Sequence, residues 1–150
     1  MKIGDTIPDF TLLDQDLNSL KSTDLLGLPS VIYFYPKDDT PGCTRQACSF
    51  RDQFAEFKDL GATVVGVSND TPEKHRIFQK RHRLPYRLLS DSKGIVRKKF
   101  GVESNLMGLL PGRETFVFDS NGELIHKFNS QLKAEQHIHE ALAALNTNLS

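Results

Sequence analysis

The chain alternates between apolar runs and helical repeats, and this pattern predicts the order of its elements. Two apolar runs, 31–35 and 64–68, are typical of strands that are buried on both faces of a sheet. Between them, apolar side chains recur every three or four residues from Ala47 to Phe57, which predicts one amphipathic helix over 43–60. A strand, a helix and a strand in this order predict a right-handed unit with two parallel strands.

Further elements are predicted on both sides of this unit. Residues 9–14 predict an edge strand with a hairpin return, and Ser120-Asn121-Gly122 is typical of the turn of a second hairpin. Helices are predicted to start at Thr71-Pro72, to cover 92–100 and to end the chain. This order predicts an α/β fold of the thioredoxin-like type, with a central mixed sheet flanked by helices, in a single domain over 1–150.

The helix that starts after Thr71 is predicted to turn Ile77 and Phe78 towards the core. The neutral charge of the whole chain favours a solvated face over an anion-binding one for its other positions, which are Lys74, His75, Arg76, Lys80, Arg81 and His82. The C-terminal helix is predicted to place His137 and His139 on its outer face. We therefore expect all five histidines to be structural or solvated.

Composition bounds the function before any motif is considered. The chain has 150 residues, 38% of them hydrophobic, and a formal net charge of zero. A neutral chain does not favour nucleic acid or an anionic membrane, and no apolar run approaches the roughly 20 residues of a membrane span. Residues 1–5 lack the apolar segment of a signal peptide, so we expect a cytoplasmic protein, although a removed targeting segment is compatible with the same sequence.

The chemistry is concentrated between Pro36 and Cys48, where the first apolar run ends and the helical pattern begins. Both cysteines of the chain lie in this stretch. The free N–H groups and the dipole of a helix N-terminus favour the thiolate form of a cysteine at the position of Cys43. Thr40 can offer its hydroxyl to the sulfur or to a substrate oxygen, and the prolines stiffen the turn.

Two cysteines alone leave several interpretations open. A pair in a reducing compartment is redox-active, metal-binding or inert. No histidine stands at ligand spacing beside Cys43 and Cys48, and the chain has no motif for a flavin, a haem or a metal, so we expect no cofactor. The strand, turn and helix around Cys43 favour a reactive thiol over two unrelated buried thiols.

The segment Pro36-x-x-x-Thr40-x-x-Cys43 resembles the active-site signature of peroxiredoxins. Residues 40–52, the N-terminal Gly4-Asp5-x-x-Pro8-Asp9-Phe10 and the segment 112–117 resemble the peroxiredoxin Q branch, also called bacterioferritin comigratory protein. The resemblance covers nearly the whole chain and implies the thioredoxin-like fold with an N-terminal β-hairpin addition. Gln46 departs from it, because many relatives carry Glu there, which weakens any acidic role at this position.

The resemblance implies a thiol-dependent peroxidase that reduces hydrogen peroxide and organic hydroperoxides. Cys43 is then the peroxidatic nucleophile, with Pro36 and Thr40 in the active-site loop. Taken alone, Arg113 is typical of a surface arginine, but its segment implies a guanidinium that holds the peroxide oxygens and favours the thiolate. Four apolar residues are candidates for the pocket wall, and the first two are also typical of core positions: Phe10, Tyr35, Leu109 and Leu110.

Cys48 is the only other thiol of the chain and is therefore the predicted resolving cysteine, unless the partner thiol comes from another chain. Similarity to peroxiredoxin Q implies that thioredoxin, or a similar dithiol reductant, then reduces a Cys43–Cys48 disulfide. Five residues of helix separate two Cα atoms by roughly 8–9 Å, whereas a disulfide needs less than about 7 Å. We therefore expect the helix start to unwind during turnover, and a flexible turn around Cys43 is the alternative.

Two other functions are compatible with the sequence. A thiol–disulfide oxidoreductase acting on proteins also uses two cysteines, although the four residues between Cys43 and Cys48 differ from a Cys-x-x-Cys dithiol. A chaperone-like binding module is the second alternative, since peroxiredoxin relatives can acquire that role on assembly. We expect a monomer, or a weakly associating dimer, that binds neither nucleic acid nor membrane.

Overall fold

The computed structural model of the chain describes residues 1–102, 112–130 and 133–149. Its strands are β1 Thr11–Asp14, β2 Ser19–Lys21, β3 Ser30–Phe34, β4 Thr63–Ser68, β5 Arg87–Ser90, β6 Glu114–Phe118 and β7 Leu124–Asn129. They form one sheet in the order β2-β1-β5-β4-β3-β6-β7. β4 is parallel to both β3 and β5, and the other neighbours are antiparallel, which confirms the predicted mixed sheet.

The α-helices of the described residues are α1 Pro41–Asp52, α2 Phe54–Asp59, α3 Pro72–His82, α4 Ile95–Lys99 and α5 Gln136–Leu149. A short 3-10 turn covers Ser22–Leu25. α1 and α2 connect the parallel strands β3 and β4, as the sequence pattern predicts. Within the described part of the chain, every helix is too short or too polar to cross a membrane.

Alternate residues of β3 point to opposite faces of the sheet, and each face has its own core. Tyr33 and Tyr35 pack in a cluster with buried residues of α1, α2, α3 and α5. Ile32 and Phe34 pack in a second cluster with the N-terminal segment and α4. The Tyr33 ring stacks on Phe50 of α1, with 4.6 Å between the ring centroids. The helix that carries both cysteines is thus anchored to the centre of the sheet.

The first strand of the N-terminal hairpin lies one position further inside the sheet than the sequence predicts. The prediction of an edge strand at 9–14 is wrong, because β1 lies between β2 and β5. Leu13 and Asp14 pair with Ser90 and Leu89 of β5. The short β2 therefore forms the edge. The weak alternation of β1 cannot reveal this position, since its second partner lies far along the chain.

The single helix predicted over 43–60 is two helices. Gln53 has φ −107° and ψ 15°, which ends α1, and α2 begins at the next residue. Neither glycine nor proline stands at this position, so the apolar spacing gives no sign of the interruption. Phe50 and Phe57 are fully buried on either side of it, which is the part of the prediction that holds.

The prediction for α3 is correct at its start and partly wrong on its faces. The Thr71 hydroxyl accepts the N–H of Lys74 at 3.3 Å, as expected of an N-cap. Phe78 is buried, but Ile77 is 49% exposed, because a helix turns about 100° per residue and the two cannot share the inner face. His75, predicted to be solvated, is completely buried, since it bonds to a buried carboxylate of the preceding loop.

Candidate active site

A tight loop after β3 sets the start of α1. Asp39 adopts a left-handed conformation with φ 62°, and Thr40 is the extended N-cap of the helix. Pro41 and Gly42 take the first helical positions, and the N–H of Thr44 bonds to the carbonyl of Thr40 at 2.8 Å. The next residue after Gly42 is the first cysteine, which therefore lies in the first turn, where backbone N–H groups have no helical partner.

Two residues of the predicted loop are only partly buried. Pro36 directly follows Tyr35 at the end of the strand, and Thr40 closes the loop. The Thr40 hydroxyl donates to the carbonyl of Lys37 at 2.9 Å, so its proton is used within the loop. In this conformation Thr40 can offer lone pairs, but not its proton, to the sulfur or to a substrate oxygen.

Arg113 reaches Cys43 from the start of β6. Its side chain is buried, and its Nη2 lies 3.2 Å from Cys43 Sγ as a hydrogen-bond donor. The antiparallel pairing of Glu114 with Phe34 brings the two segments together. Gly42 permits the approach, because a Cβ at this position would lie 3.1 Å from Nη2. Cys43 itself is 1% exposed, so the sulfur and the guanidinium face each other away from bulk water.

Gln46 is a third member of this site that the sequence marked only as a departure. It is fully buried one helical turn after Cys43, and its Oε1 accepts a hydrogen bond from Arg113 Nη1. The amide is uncharged, so the contact orients Arg113 without neutralising it. Arg113 Nε and Gln46 Nε2 have no partner among the described residues, which leaves two buried donors beside the sulfur. The three-residue spacing from Cys43 was the available signal.

Cys48 lies on the same helix in a different environment. It is half-buried, and both cysteines are free thiols. Burial raises the pKa of the Cys48 thiol, Arg51 opposes this rise, and Asp52 adds to it. At neutral pH its thiolate fraction is therefore smaller than that of an ordinary cysteine. α1 is continuous through both cysteines, so they stand five helical residues apart.

A buried network of hydrogen bonds fixes the Pro36–Thr40 loop to neighbouring elements. Asp38 accepts a hydrogen bond from the Tyr35 hydroxyl, and its other oxygen lies 2.7 Å from His75 Nδ1. The backbone N–H of Asp38 donates to Asp70 at 2.8 Å. His75 Nε2 donates to the carbonyl of Leu89, because a carbonyl can only accept. The loop is thereby tied to α3, to β5 and to the segment after β4.

The same network contains the atoms that are best placed to hold a metal ion within the described residues. Ligand atoms of Asp38, Asp70 and His75 lie within 4.8 Å of one another. All three residues are buried; His75 Nδ1 already bonds to the Asp38 carboxylate, and the Asp70 carboxylate accepts the backbone N–H of Asp38 and the Ser68 hydroxyl. The donors present fit a structural network of hydrogen bonds, and no step of the chemistry requires an ion there.

His137 is another histidine whose environment differs from the prediction. It is completely buried instead of lying on the outer face of α5, whereas His139 is exposed as expected. His137 Nε2 donates to the carbonyl of Ser130, and Nδ1 accepts from the Thr115 hydroxyl, both at 2.8 Å. Burial lowers the pKa of His137 to about 4, Ser130 opposes this, and Arg113 adds to it. The ring is therefore neutral near pH 7.

The predicted pocket residues separate into two groups. Phe10 and Tyr35 are core residues, and they lie in clusters on opposite faces of the sheet. Tyr35 adds its hydroxyl bond to Asp38, whereas Phe10 packs against Phe100 with 6.1 Å between ring centroids. Leu109 and Leu110 lie outside the described residues.

Comparisons with known proteins agree with this fold. The AhpC/TSA family model matches residues 3–127. A chloroplastic peroxiredoxin Q from Gentiana triflora is 49% identical over 142 residues, which cover 95% of this chain and 65% of that protein. The structure of peroxidoxin BcpB from Mycobacterium tuberculosis is 41% identical with a TM-score of 0.90, covering 98% of this chain and 97% of that one. The bacterioferritin comigratory protein of Xanthomonas campestris, described with its alkyl peroxide reduction activity, is 30% identical with a TM-score of 0.86, covering 94% and 92%.

The fold thus belongs to the class that the motifs predict, a peroxiredoxin on a thioredoxin-like scaffold. The chain belongs to the AhpC/TSA family, within its peroxiredoxin Q branch. It spans about two thirds of the length of the plant relative above and nearly all of the mycobacterial one.

The expectation of a cytoplasmic protein is wrong. The plant relatives from Gentiana, Sedum and Populus are all named chloroplastic, which contradicts it. The expectation failed because it rested on the absence of an apolar segment at residues 1–5. An organelle address is read by a receptor and leaves no trace in the folded domain.

Proposed function

We propose that this chain, acting as one domain over residues 1–150, reduces hydrogen peroxide and organic hydroperoxides through Cys43. The observation that carries the proposal is the donation from Arg113 Nη2 to Cys43 Sγ at 3.2 Å inside a buried site. A guanidinium beside a sulfur stabilises the thiolate and can hold the developing oxygen charge. The alkyl peroxide reduction described for the Xanthomonas relative supports the substrate class.

In the first step the Cys43 thiolate attacks one oxygen of the hydroperoxide, and the O–O bond breaks. The sulfur is oxidised to a sulfenic acid, and the second oxygen leaves as an alkoxide or hydroxide that takes up a proton to give alcohol or water. Arg113 Nε and Gln46 Nε2 are buried donors without a partner among the described residues; Arg113 also binds the sulfur, and Gln46 also binds Arg113. We assign them to the two peroxide oxygens, with the oxygen lone pairs of Thr40 facing the hydroperoxide proton.

In the second step the Cys48 thiol condenses with the sulfenic acid, which forms the Cys43–Cys48 disulfide and releases water. Within a continuous helix the two Cα atoms are roughly 8–9 Å apart, which is too far for the bond. The first turns of α1 must therefore unwind. The Pro36–Thr40 loop precedes the turns that unwind. Its hydrogen bonds through Asp38 to Asp70 and His75 are kept in this step.

A dithiol protein of the thioredoxin type is the proposed reductant. Its thiolate attacks the exposed disulfide, a mixed disulfide forms, and its second thiol releases the reduced enzyme. We propose that the chain works as a monomer or a weak dimer and requires neither nucleic acid nor membrane. Unwinding brings the buried Cys43 sulfur to the surface beside the half-buried Cys48, where a protein reductant can reach the disulfide.

Three proteins test the proposal: wild type, Cys43→Ser and Cys48→Ser. With one equivalent of hydrogen peroxide, rapid quenching and mass spectrometry should show a disulfide in wild type and sulfenic or higher acids at Cys43 in Cys48→Ser. Cys43→Ser should consume no peroxide while keeping the wild-type circular dichroism spectrum. Thioredoxin-coupled turnover near the wild-type rate in Cys43→Ser would overturn the assignment, and slow peroxide consumption with fast insulin reduction would favour a protein disulfide reductase.

Amide hydrogen exchange over residues 40–52 tests the unwinding step. We expect strong protection in the reduced protein and its loss in the disulfide form, because the hydrogen bonds of the first turns are broken there. α3 serves as the internal reference, since its exchange should be equal in both forms. Equal protection of residues 40–52 in the two forms would favour a flexible turn around Cys43 and contradict the unwinding model.

A further inference from the structure

The strands that carry the two halves of the site separate just before they reach it. β3 and β6 pair up to Phe34 and Glu114. The chain continues from Phe34 through Tyr35 into Pro36, which has no backbone N–H and cannot extend the ladder. On the other strand, Gly112 and Arg113 precede the paired segment. The spacing between the active-site loop and Arg113 therefore needs a connection other than the strand ladder.

Arg97 supplies this connection from α4. Its Nη1 donates to the carbonyl of Gly112 at 2.7 Å, and its Nη2 donates to the carbonyl of Tyr35 at 2.9 Å. One rigid guanidinium thus binds the residue before Arg113 and the residue before Pro36. The N–H of Tyr35 donates to the carbonyl of Val67 on β4, so with Arg97 both backbone polar groups of Tyr35 have a partner.

Several contacts hold Arg97 itself in place. Its backbone N–H donates to Asp91 at 2.8 Å, and the same carboxylate accepts the N–H of Val96, so Asp91 caps α4. The guanidinium carbon lies 5.7 Å from the ring centroid of Phe34, and the residue is only 7% exposed. Burial lowers the pKa of Arg97, whereas Asp91 and the Cys43 sulfur raise it.

We propose that Arg97 is a positioning residue of the peroxidatic site, which sets the distance between the Cys43 loop and Arg113 by bridging the carbonyls of Tyr35 and Gly112. The proposal rests on the proposed function. It differs from a general structural role, because the two bridged carbonyls belong to the two segments that carry the sulfur and its donor. The planar fork of an arginine can span two carbonyls that a single ammonium group cannot bridge with the same geometry.

Oxidation of Cys43 is the measurement that tests Arg97, and a Cys48→Ser background isolates this step. We expect Arg97→Met to slow the oxidation by hydrogen peroxide about 10- to 100-fold, as for the loss of charge-assisted hydrogen bonds in a buried site. Arg97→Lys keeps the charge and should recover only part of the rate. If Arg97→Met does not fold, Arg97→Lys still tests the proposal. A merely structural role predicts that folded Arg97→Lys protein is oxidised at the full wild-type rate.

A double-mutant cycle with Arg113→Ala separates positioning from independent action. If Arg97 acts by placing Arg113, the Arg97→Met change should cost little in the Arg113→Ala background. Arg87→Met is the matched control, because Arg87 also binds a carboxylate and a carbonyl but lies on β5, away from Cys43. It should alter stability without altering the oxidation rate.

Besides full recovery of the oxidation rate in Arg97→Lys, two results would overturn the proposal. One is an Arg97→Met protein that is folded and oxidised at the wild-type rate. The other is full additivity of the two arginine changes, which would make Arg97 an independent cation. Failure of the proposed function is recognised separately, since it requires Cys43→Ser to retain peroxide reduction.

Discussion

Cys43 and Cys48 stand five residues apart on one helix, yet their surroundings have little in common. Cys43 is buried at the helix start, where Arg113 donates directly to its sulfur and Gln46 orients the guanidinium. Cys48 is half-buried further along, where burial raises the pKa of its thiol and Asp52 raises it further. Burial by itself disfavours the thiolate of Cys48. The difference lies in whether a hydrogen-bonding cation compensates for the lost water.

This comparison teaches that the order of reaction is set by tertiary contacts. Arg113 lies seventy residues after Cys43, and only the pairing of β3 with β6 brings the two together. The thiol that is paired with the guanidinium attacks the peroxide in the proposed cycle. The thiol without such a partner remains protonated until a sulfenic acid is available.

The largest effect is expected from removing the cation. Arg113→Ala should slow Cys43 oxidation by the equivalent of about 1.5–3 kcal/mol, because a buried charge-assisted hydrogen bond to the sulfur is lost. Stopped-flow or rapid-quench measurement with hydrogen peroxide checks this. Arg113→Lys should recover only part of the rate, since lysine lacks the planar fork.

Arg45→Ala is the control for Arg113. Arg45 lies on the same helix, is exposed and pairs with Glu135 at 3.7 Å. Its loss should leave the oxidation rate within about twofold of wild type, as expected for a surface ion pair. An unchanged rate in Arg113→Ala would remove the physical basis of the comparison.

A smaller effect is expected from crowding the cation without removing it. Gly42→Ala places a Cβ 3.1 Å from Arg113 Nη2, so the guanidinium must shift by a few tenths of an ångström. We expect oxidation to slow by about three- to tenfold, corresponding to roughly 1 kcal/mol of misalignment. The conformation of Gly42 is helical, so helicity by circular dichroism should not fall. Faster oxidation in Gly42→Ala would contradict the idea that the present position of Arg113 beside Cys43 favours the reaction.

The pH dependence of alkylation tests the second thiol. In Cys43→Ser, the reaction of Cys48 with iodoacetamide should rise with pH and reach its midpoint above the ordinary thiol value, because burial raises the pKa of Cys48. The folded state favours the protonated form, so the reaction at neutral pH should be slower than in the denatured protein. In urea the midpoint should return to about 8.5. A folded midpoint below the denatured one would reverse the assigned difference.

The smallest effect is expected from the charges around Cys48. Asp52→Asn should lower the midpoint of Cys48 alkylation, because Asp52 raises the pKa of this thiol. Arg51, the ion-pair partner of Asp52, lowers the same pKa and is retained in the variant. Asp59→Asn, on α2, is the control and should leave the midpoint unchanged. Equal shifts in the two variants would show that only the net charge of the chain is being measured.

The sequence predicts the scaffold better than the site. The apolar runs at β3 and β4 and the spacing of Phe50 and Phe57 identify the central unit, because burial leaves a periodic pattern. Buried polar residues leave no such pattern. His75 looks solvated on its own helix, and its burial depends on Asp38, thirty-seven residues earlier.

The candidate site shows the same division. Cys43 and Arg113 are recognised through motifs, whereas Gln46 is noticed only as an exception, and the bridging contacts of Arg97 are invisible without the fold. The break at Gln53 and the inner position of β1 depend on packing between distant segments. Their roles in the reaction stay predictions until the variants above are measured.

The continuity of α1 through both cysteines makes helix propensity a redox variable. In the proposed cycle the reduced state keeps the helix and the disulfide state gives up its first turns. Any change that stabilises the helix therefore favours the dithiol and raises the reduction potential, by about 30 mV for each 1.4 kcal/mol. Thr44, in the first turns of α1 and only partly buried, could be replaced by alanine to stabilise the helix and make the enzyme easier to recycle, and by glycine to do the reverse. The helix propensity of the backbone would then set how readily a reductant reduces the Cys43–Cys48 disulfide.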